Sequence, residues 1–200
     1  MITSKAGCVS PETMPVFLMK VHDIIPYSIE KNLGKAYNDA MELIPDGDTV
    51  CFRDGDTCWL TPDYGMILHE YATRYPDAVL TCWTNRIHKS SGQLDLSAPS
   101  TNDMVDHTRY ALSLSVQKDA TNLQTTISGF CLVIPKHIWQ QHKFAEEQPY
   151  EDRKGVPNML GVDNDWTNRI RAAGIPVLRM DGLYLYHNYR LLTNSKDHLL

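Results

Sequence analysis

The chain has 200 residues, 22% of them charged and 42% hydrophobic, with a formal net charge of −5. That is enough for one domain with a proper core, and without a basic excess neither nucleic acid nor an anionic membrane surface is an expected partner. No apolar stretch approaches the ~20 residues that span a bilayer, so no transmembrane segment is expected, and "MITSKAGCVSPETMP" lacks a signal core, so the expected location is cytoplasmic.

Residues 1–15 read as loose and 16–22, "VFLMKVH", as a first strand. In "SIEKNLGKAYNDAMELIPDGD", Leu33, Ala36, Tyr37, Ala40, Leu43 and Ile44 recur at helical spacing, and Pro45 to Gly47 end the helix. "TVCFR" (49–53) is a short strand. In "LTPDYGMILHEYATRYPD", Thr61 suits an N-cap and Pro62 the first helical position. Ile67, Leu68, Tyr71 and Tyr75 would form its inner stripe. "AVLTCW" (78–83) is a strand, 84–102 a polar loop, and 103–117 a weaker helix.

"GFCLVIP" (129–135) is a strand, and "KHIWQQH" a short helix. Residues 143–160 form a polar loop long enough to suggest function. "DNDWTNRIRAAG" (163–174) is a helix with Trp166, Ile170 and Ala173 facing inward. "IPVLRM" and "LYLYH" are two last strands. The alternation implies an α/β domain around a mostly parallel sheet flanked by helices. Cys8, Cys51, Cys58, Cys82 and Cys131 are an odd, scattered set with no C-x-x-C pair. Cys51 and Cys131 sit in apolar runs and read as small buried hydrophobes.

Three groups of residues could carry chemistry. Asp54-Gly55-Asp56 follows Val50-Cys51-Phe52 and Arg53. Asp-Gly is a hairpin signal, but an apolar run without alternation suits a strand buried on both faces. The C-terminal ends of parallel strands bind ligands, and two acids there can hold a hard divalent cation. Asp163 and Asp165 open a helix, where capping, or pairing of Asp165 with Arg169, is a sufficient structural account. Asp163, at the end of the long loop, is the better candidate for a general base. His187 ends "LYLYH"; it reads as a surface residue unless that strand end lies beside Asp54 and Asp56. Imidazole with carboxylates suits manganese better than calcium.

The ordered set "NLGKAYN", D-x-D, "TISGFCLVIPKHIW", "GVDNDWTNRIRAAG" and "YLYHNYR" resembles the metal-dependent glycosyltransferases of the GT-A fold, especially the large family-2 group. The resemblance spans about residues 30 to 190. It implies a single-domain nucleotide-diphospho-sugar transferase-like fold, a nucleotide-sugar donor, a glycan or other hydroxyl acceptor, and Mn2+ or Mg2+. It implies metal ligation by Asp54, Asp56 and His187, with Asp54 also near the donor ribose. Asp163 would be the catalytic base, although Val162 stands where the family has glutamate. Ser128, Gly129 and Asp165 would line the acceptor cleft. Asn32, Lys35 and Arg190 would lie on the donor side. The family carries a longer first nucleotide-binding unit than the thirty or so residues before "NLGKAYN", so a shortened unit is expected.

Two alternatives stand beside this reading. A haloacid-dehalogenase-like phosphatase also has D-x-D after an apolar strand, with the first Asp as nucleophile. There, Cys58 stands where Thr or Val is expected, and His187 has no role. The other alternative is a non-catalytic sugar- or metal-binding module on a degenerate transferase scaffold.

Overall fold

The computed structural model describes residues 19–87, 91–125, 127–147, 150–151, 157–158 and 161–188. Nine strands and five helices occur among them. In chain order these are β1 (Val21–Ile24), α1 (Leu33–Glu42), β2 (Thr49–Arg53), β3 (Thr57–Trp59), α2 (Tyr64–Arg74), β4 (Val79–Trp83) and α3 (Met104–Leu114). There follow β5 (Ala120–Asn122), β6 (Cys131–Pro135), α4 (Lys136–Gln141), β7 (Tyr150–Glu151), β8 (Pro157–Asn158), α5 (Val162–Ala172) and β9 (Val177–His187). No helix among the described residues is long and apolar enough to cross a membrane.

The main sheet runs β1-β2-β6-β4-β9-β3, with β5 also paired to β9. The architecture is α/β, but the sheet is mixed rather than mostly parallel. Only β1–β2 and β4–β9 are parallel; β6 runs antiparallel to both β2 and β4, as do β3 and β5 to β9. All five residues of β6 are buried. An unbroken apolar run reports burial on both faces and carries no information about strand direction.

Successive residues of the central strands enter different cores. Val50, Phe52, Leu132 and Ile134 pack with Tyr37 and Met41 of α1, Trp139 of α4, and Trp166 and Ile170 of α5. Cys51, Cys131 and Val133 pack on the other face with Ile67, Leu68 and Tyr71 of α2. This two-residue alternation places helices on both sides of the sheet. The buried cysteines fill that second core, and Cys58 is exposed.

Several boundaries differ from the sequence expectation. The first strand starts at Val21; its Asp23 is tolerated at the sheet edge because Arg53 Nε donates to it at 2.8 Å. Residues 16–18 lie outside the described residues, as do 1–15. α2 begins at Tyr64, not at Pro62, because Thr61 to Tyr64 closes as a turn through Tyr64 N–H to Thr61 O. Leu43 is 85% exposed, whereas Met41 is fully buried in its place. Ala173 is exposed, beyond the last turn of α5. The two expected final strands are one, β9. Its register to β4 shifts between Cys82 and Trp83, opposite a bulge around Asp181 and Gly182.

Candidate metal centre and active site

Strand direction assembles the site. β2 and β4 are both antiparallel to β6, and β9 is parallel to β4, so β2, β4 and β9 all point the same way. Their C-terminal ends meet at one edge, where such sheets bind ligands. They carry Asp54, Asn85 with Arg86, and His187. The start of β6 brings Ser128, Gly129 and Phe130 to the same edge.

Asp54-Gly55-Asp56 is a tight turn but not a hairpin between its flanking strands. Thr57 N–H and Oγ1 both donate to Asp54 O, at 3.2 and 2.6 Å. β3 then pairs with β9 rather than β2, and Thr57 sits opposite His187. Asn188 N–H donates to Asp56 O at 2.9 Å. This pairing sets the imidazole against the acids: His187 Nε2 is 3.2 Å from Asp56 Oδ1 and 3.9 Å from Asp54 Oδ2. One ligand atom from each residue lies within 4.8 Å of the others. Two carboxylates and an imidazole form a donor set that could hold a divalent cation.

The surroundings orient the ligands. His187 Nδ1 lies 3.0 Å from Arg86 O. A carbonyl only accepts, so Nδ1 carries a proton, which leaves Nε2, against Asp56, as the nitrogen that would ligate a cation. Asn85 brackets the His187 backbone, accepting from its N–H at 2.8 Å and donating to its carbonyl at 3.3 Å. Phe130 stacks on the imidazole, with ring centroids 5.6 Å apart.

Asp163 stands across a short piece of backbone from this centre. Phe130 O accepts from Asp54 N–H at 3.0 Å, and the preceding Gly129 N–H donates to Asp163 Oδ2 at 2.5 Å. A Cβ at Gly129 would sit 2.9 Å from both Cβ and Oδ2 of Asp163, so only glycine fits here without displacement. Gln93, fully buried, fixes the segment from the other side. Its Oε1 accepts from Ser128 N–H at 2.7 Å, and its Nε2 donates to Ser128 O at 3.0 Å and Thr81 Oγ1 at 2.7 Å.

Electrostatics mark the site as short of positive charge. Burial, then the charges of Asp56 and Asp163, push the Asp54 carboxyl up to about 6. Burial raises Asp163 above the usual carboxylate range, against the pull of Gly129 N–H and other backbone bonds. Tyr37 is pushed up by burial and by the charges of Asp54 and Asp163. Burial holds His187 below its ordinary value, with Asp56 pulling the other way. A divalent cation among these groups would relieve the repulsion.

The structure therefore brings together Asp54, Asp56, His187, Asp163, Ser128 and Gly129. Asp165 begins the same helix as Asp163 and pairs with Arg169 at 3.0 Å. Asn32 is the N-cap of α1, accepting from Lys35 N–H at 2.9 Å and donating to Glu146 O at 2.9 Å. Lys35 pairs with Asp39 at 2.5 Å on the exposed side of that helix. Arg190 lies outside the described residues. Sequence reasoning missed Asn85, Arg86 and Gln93 as site residues. The strand-end rule that singled out Asp54, applied equally to β4, points to Asn85 and Arg86. No local signal identifies Gln93, whose partners are distant in sequence. In comparisons with known proteins, no family model matches this chain and no curated protein matches it.

Proposed function

We propose that this chain is a metal-dependent glycosyltransferase with a GT-A-like fold, moving a sugar from a nucleoside-diphosphate donor to an acceptor hydroxyl with inversion. The observation that carries the reading is the meeting of Asp54, Asp56 and His187 within 4.8 Å, with His187 more than a hundred residues beyond the two acids in sequence. Asp163 lies one short backbone segment away. A hairpin turn or a helix cap accounts for each acid singly and does not account for the convergence.

Asp54, Asp56 and His187 would hold Mn2+ or Mg2+, which supplies positive charge for the diphosphate leaving group. The Arg86 carbonyl keeps His187 in the tautomer that can ligate. Gly129 N–H orients the Asp163 carboxylate, which would accept the acceptor hydroxyl's proton. The acceptor oxygen bonds to the anomeric carbon as the bond from that carbon to the donor phosphate breaks, and the electron pair leaves with the nucleoside diphosphate. A raised carboxyl value makes Asp163 a stronger base toward the acceptor hydroxyl than an ordinary carboxylate. A phosphatase with Asp54 as nucleophile gives the His187 geometry no task.

The test is thermal stabilisation by UDP, GDP, CDP, ADP and TDP, each with and without Mn2+. One diphosphate is expected to stabilise the protein only with the metal, and Asp163→Asn should retain that response while losing transfer. A protein that no diphosphate stabilises would remove the donor site. Metal-dependent binding with no transfer to any acceptor in the wild type would favour the binding-module alternative.

A further inference from the structure

Beside the cation centre, Arg86 presents a different problem. It is 5% exposed, yet among the described residues its only side-chain hydrogen bond is to the Asn102 amide oxygen, and no carboxylate pairs with it. A buried guanidinium has five donors and a permanent charge, and burying such a charge without a counterion is costly. Arg86 lines a cleft of about 160 Å³ between Asn85–Arg86 and the run Leu94–Thr101. Asp95 also borders the cleft, but its carboxylate accepts from Tyr110 Oη at 2.5 Å and from Ser97 N–H at 2.9 Å, which ties it to its own turn and to α3.

We propose that this cleft is a subsite for an oxyanion, and that the oxyanion is a carboxylate or phosphate carried by the acceptor. The acceptor role rests on the transferase reading; the anion site does not. His187 separates the two sites: its Nε2 edge faces Asp56, and its Nδ1 edge faces the Arg86 carbonyl. An anion in the cleft would therefore lie beside the cation centre, and competition with a nucleoside diphosphate tells the two sites apart. Arg86 can grip a carboxylate or phosphate through two parallel N–H bonds, with Ser100 and Thr101 on the cleft wall.

Inorganic phosphate and glucuronate are the probes, with glucose as the neutral control, all in metal-free buffer at fixed ionic strength. Both anions should raise the melting temperature of the wild type by about 2–4 °C at saturation, and glucose should not. Asn102 is exposed, so Asn102→Asp should fold normally and supply a carboxylate to the guanidinium from within. That variant should lose the response to both anions and keep any stabilisation by Mn2+ with a nucleoside diphosphate. An equal response in Asn102→Asp would overturn the site. Loss of the glucuronate response in the presence of Mn2+ and saturating nucleoside diphosphate would overturn the acceptor assignment, because the pocket would then belong to the donor phosphates. An anion response without any metal-dependent nucleotide response supports the subsite and overturns the transferase reading instead.

Discussion

The His187 imidazole donates from Nδ1 to the Arg86 carbonyl at 3.0 Å while its Nε2 faces Asp56 at 3.2 Å. One backbone oxygen thereby decides which nitrogen can meet a cation. His187→Gln keeps a polar side chain in this buried place but offers no imidazole. Its Mn2+ affinity is expected to fall at least 10-fold, in line with what disturbing a metal site's supports costs, while the fold persists. Titration of Mn2+ followed by electron paramagnetic resonance measures it; unchanged affinity would remove His187 from the ligand set.

The raised Asp54 carboxyl links stability to pH. The folded protein binds this proton up to about pH 6, whereas an unfolded chain releases it near ~4. The linked stability is complete below the unfolded value and is lost as pH rises through about 6. Metal-free protein should therefore melt lower near neutral pH than near pH ~5, in a manner that depends on Asp54. Asp54→Asn should flatten that part of the curve. Saturating Mn2+ should restore the wild type near neutral pH and not the variant. Parallel melting curves for the two proteins across pH would contradict the assignment of burial and Asp56 repulsion to this carboxyl.

Gly129 is the hinge between cation and base. Alanine there places a Cβ 2.9 Å from Asp163 Oδ2, so the carboxylate must move. A shift of about an ångström in a reacting group lowers turnover by roughly 10²-fold. Gly129→Ala should therefore lower kcat by that order while leaving Mn2+-dependent nucleotide binding close to wild type. Steady-state kinetics beside a binding titration separate the two. A loss of nucleotide binding equal to the loss of kcat would place Gly129 on the donor side.

The acids and histidine were legible because they are polar residues at or just past the end of an apolar run, and strand ends are where a parallel pair of strands exposes its chemistry. Sheet direction was not legible, since fully buried β6 has the same apolar pattern either way. β3 is three residues inside a polar turn, and its partner β9 is far along the chain. The single β9 was hidden by Gly182, which reads as a break. In the fold a Cβ there would meet Gln117 O at 2.3 Å, so the glycine marks a close crossing inside a continuous strand. "NLGKAYN" was legible as a pattern, and the structure gives three of its residues a packing task that the sequence did not show. Asn32 caps α1 and reaches Glu146 O, Gly34 lets Ala145 O approach where a Cβ would be 1.9 Å away, and Asn38 clamps Phe144. All three fasten residues 144–146 to α1.

Asn38 is the centre of that fastening. It is 4% exposed. Its Oδ1 accepts from Trp139 Nε1 at 2.8 Å and Phe144 N–H at 3.1 Å, and its Nδ2 donates to Phe144 O at 3.0 Å and Glu146 Oε1 at 2.8 Å. Leucine has similar bulk and none of these bonds, so Asn38→Leu strands the Trp139 donor and both Phe144 backbone groups in the interior. Each stranded buried group costs about 1–3 kcal/mol, so a loss of at least ~2 kcal/mol is expected in urea unfolding. The neighbouring Asp39 pairs with Lys35 on the exposed face, and Asp39→Ala should leave the urea midpoint close to wild type. Equal destabilisation by the two changes would mean that α1 is held by its apolar face alone, and that the asparagine has no part in positioning the segment that follows α4.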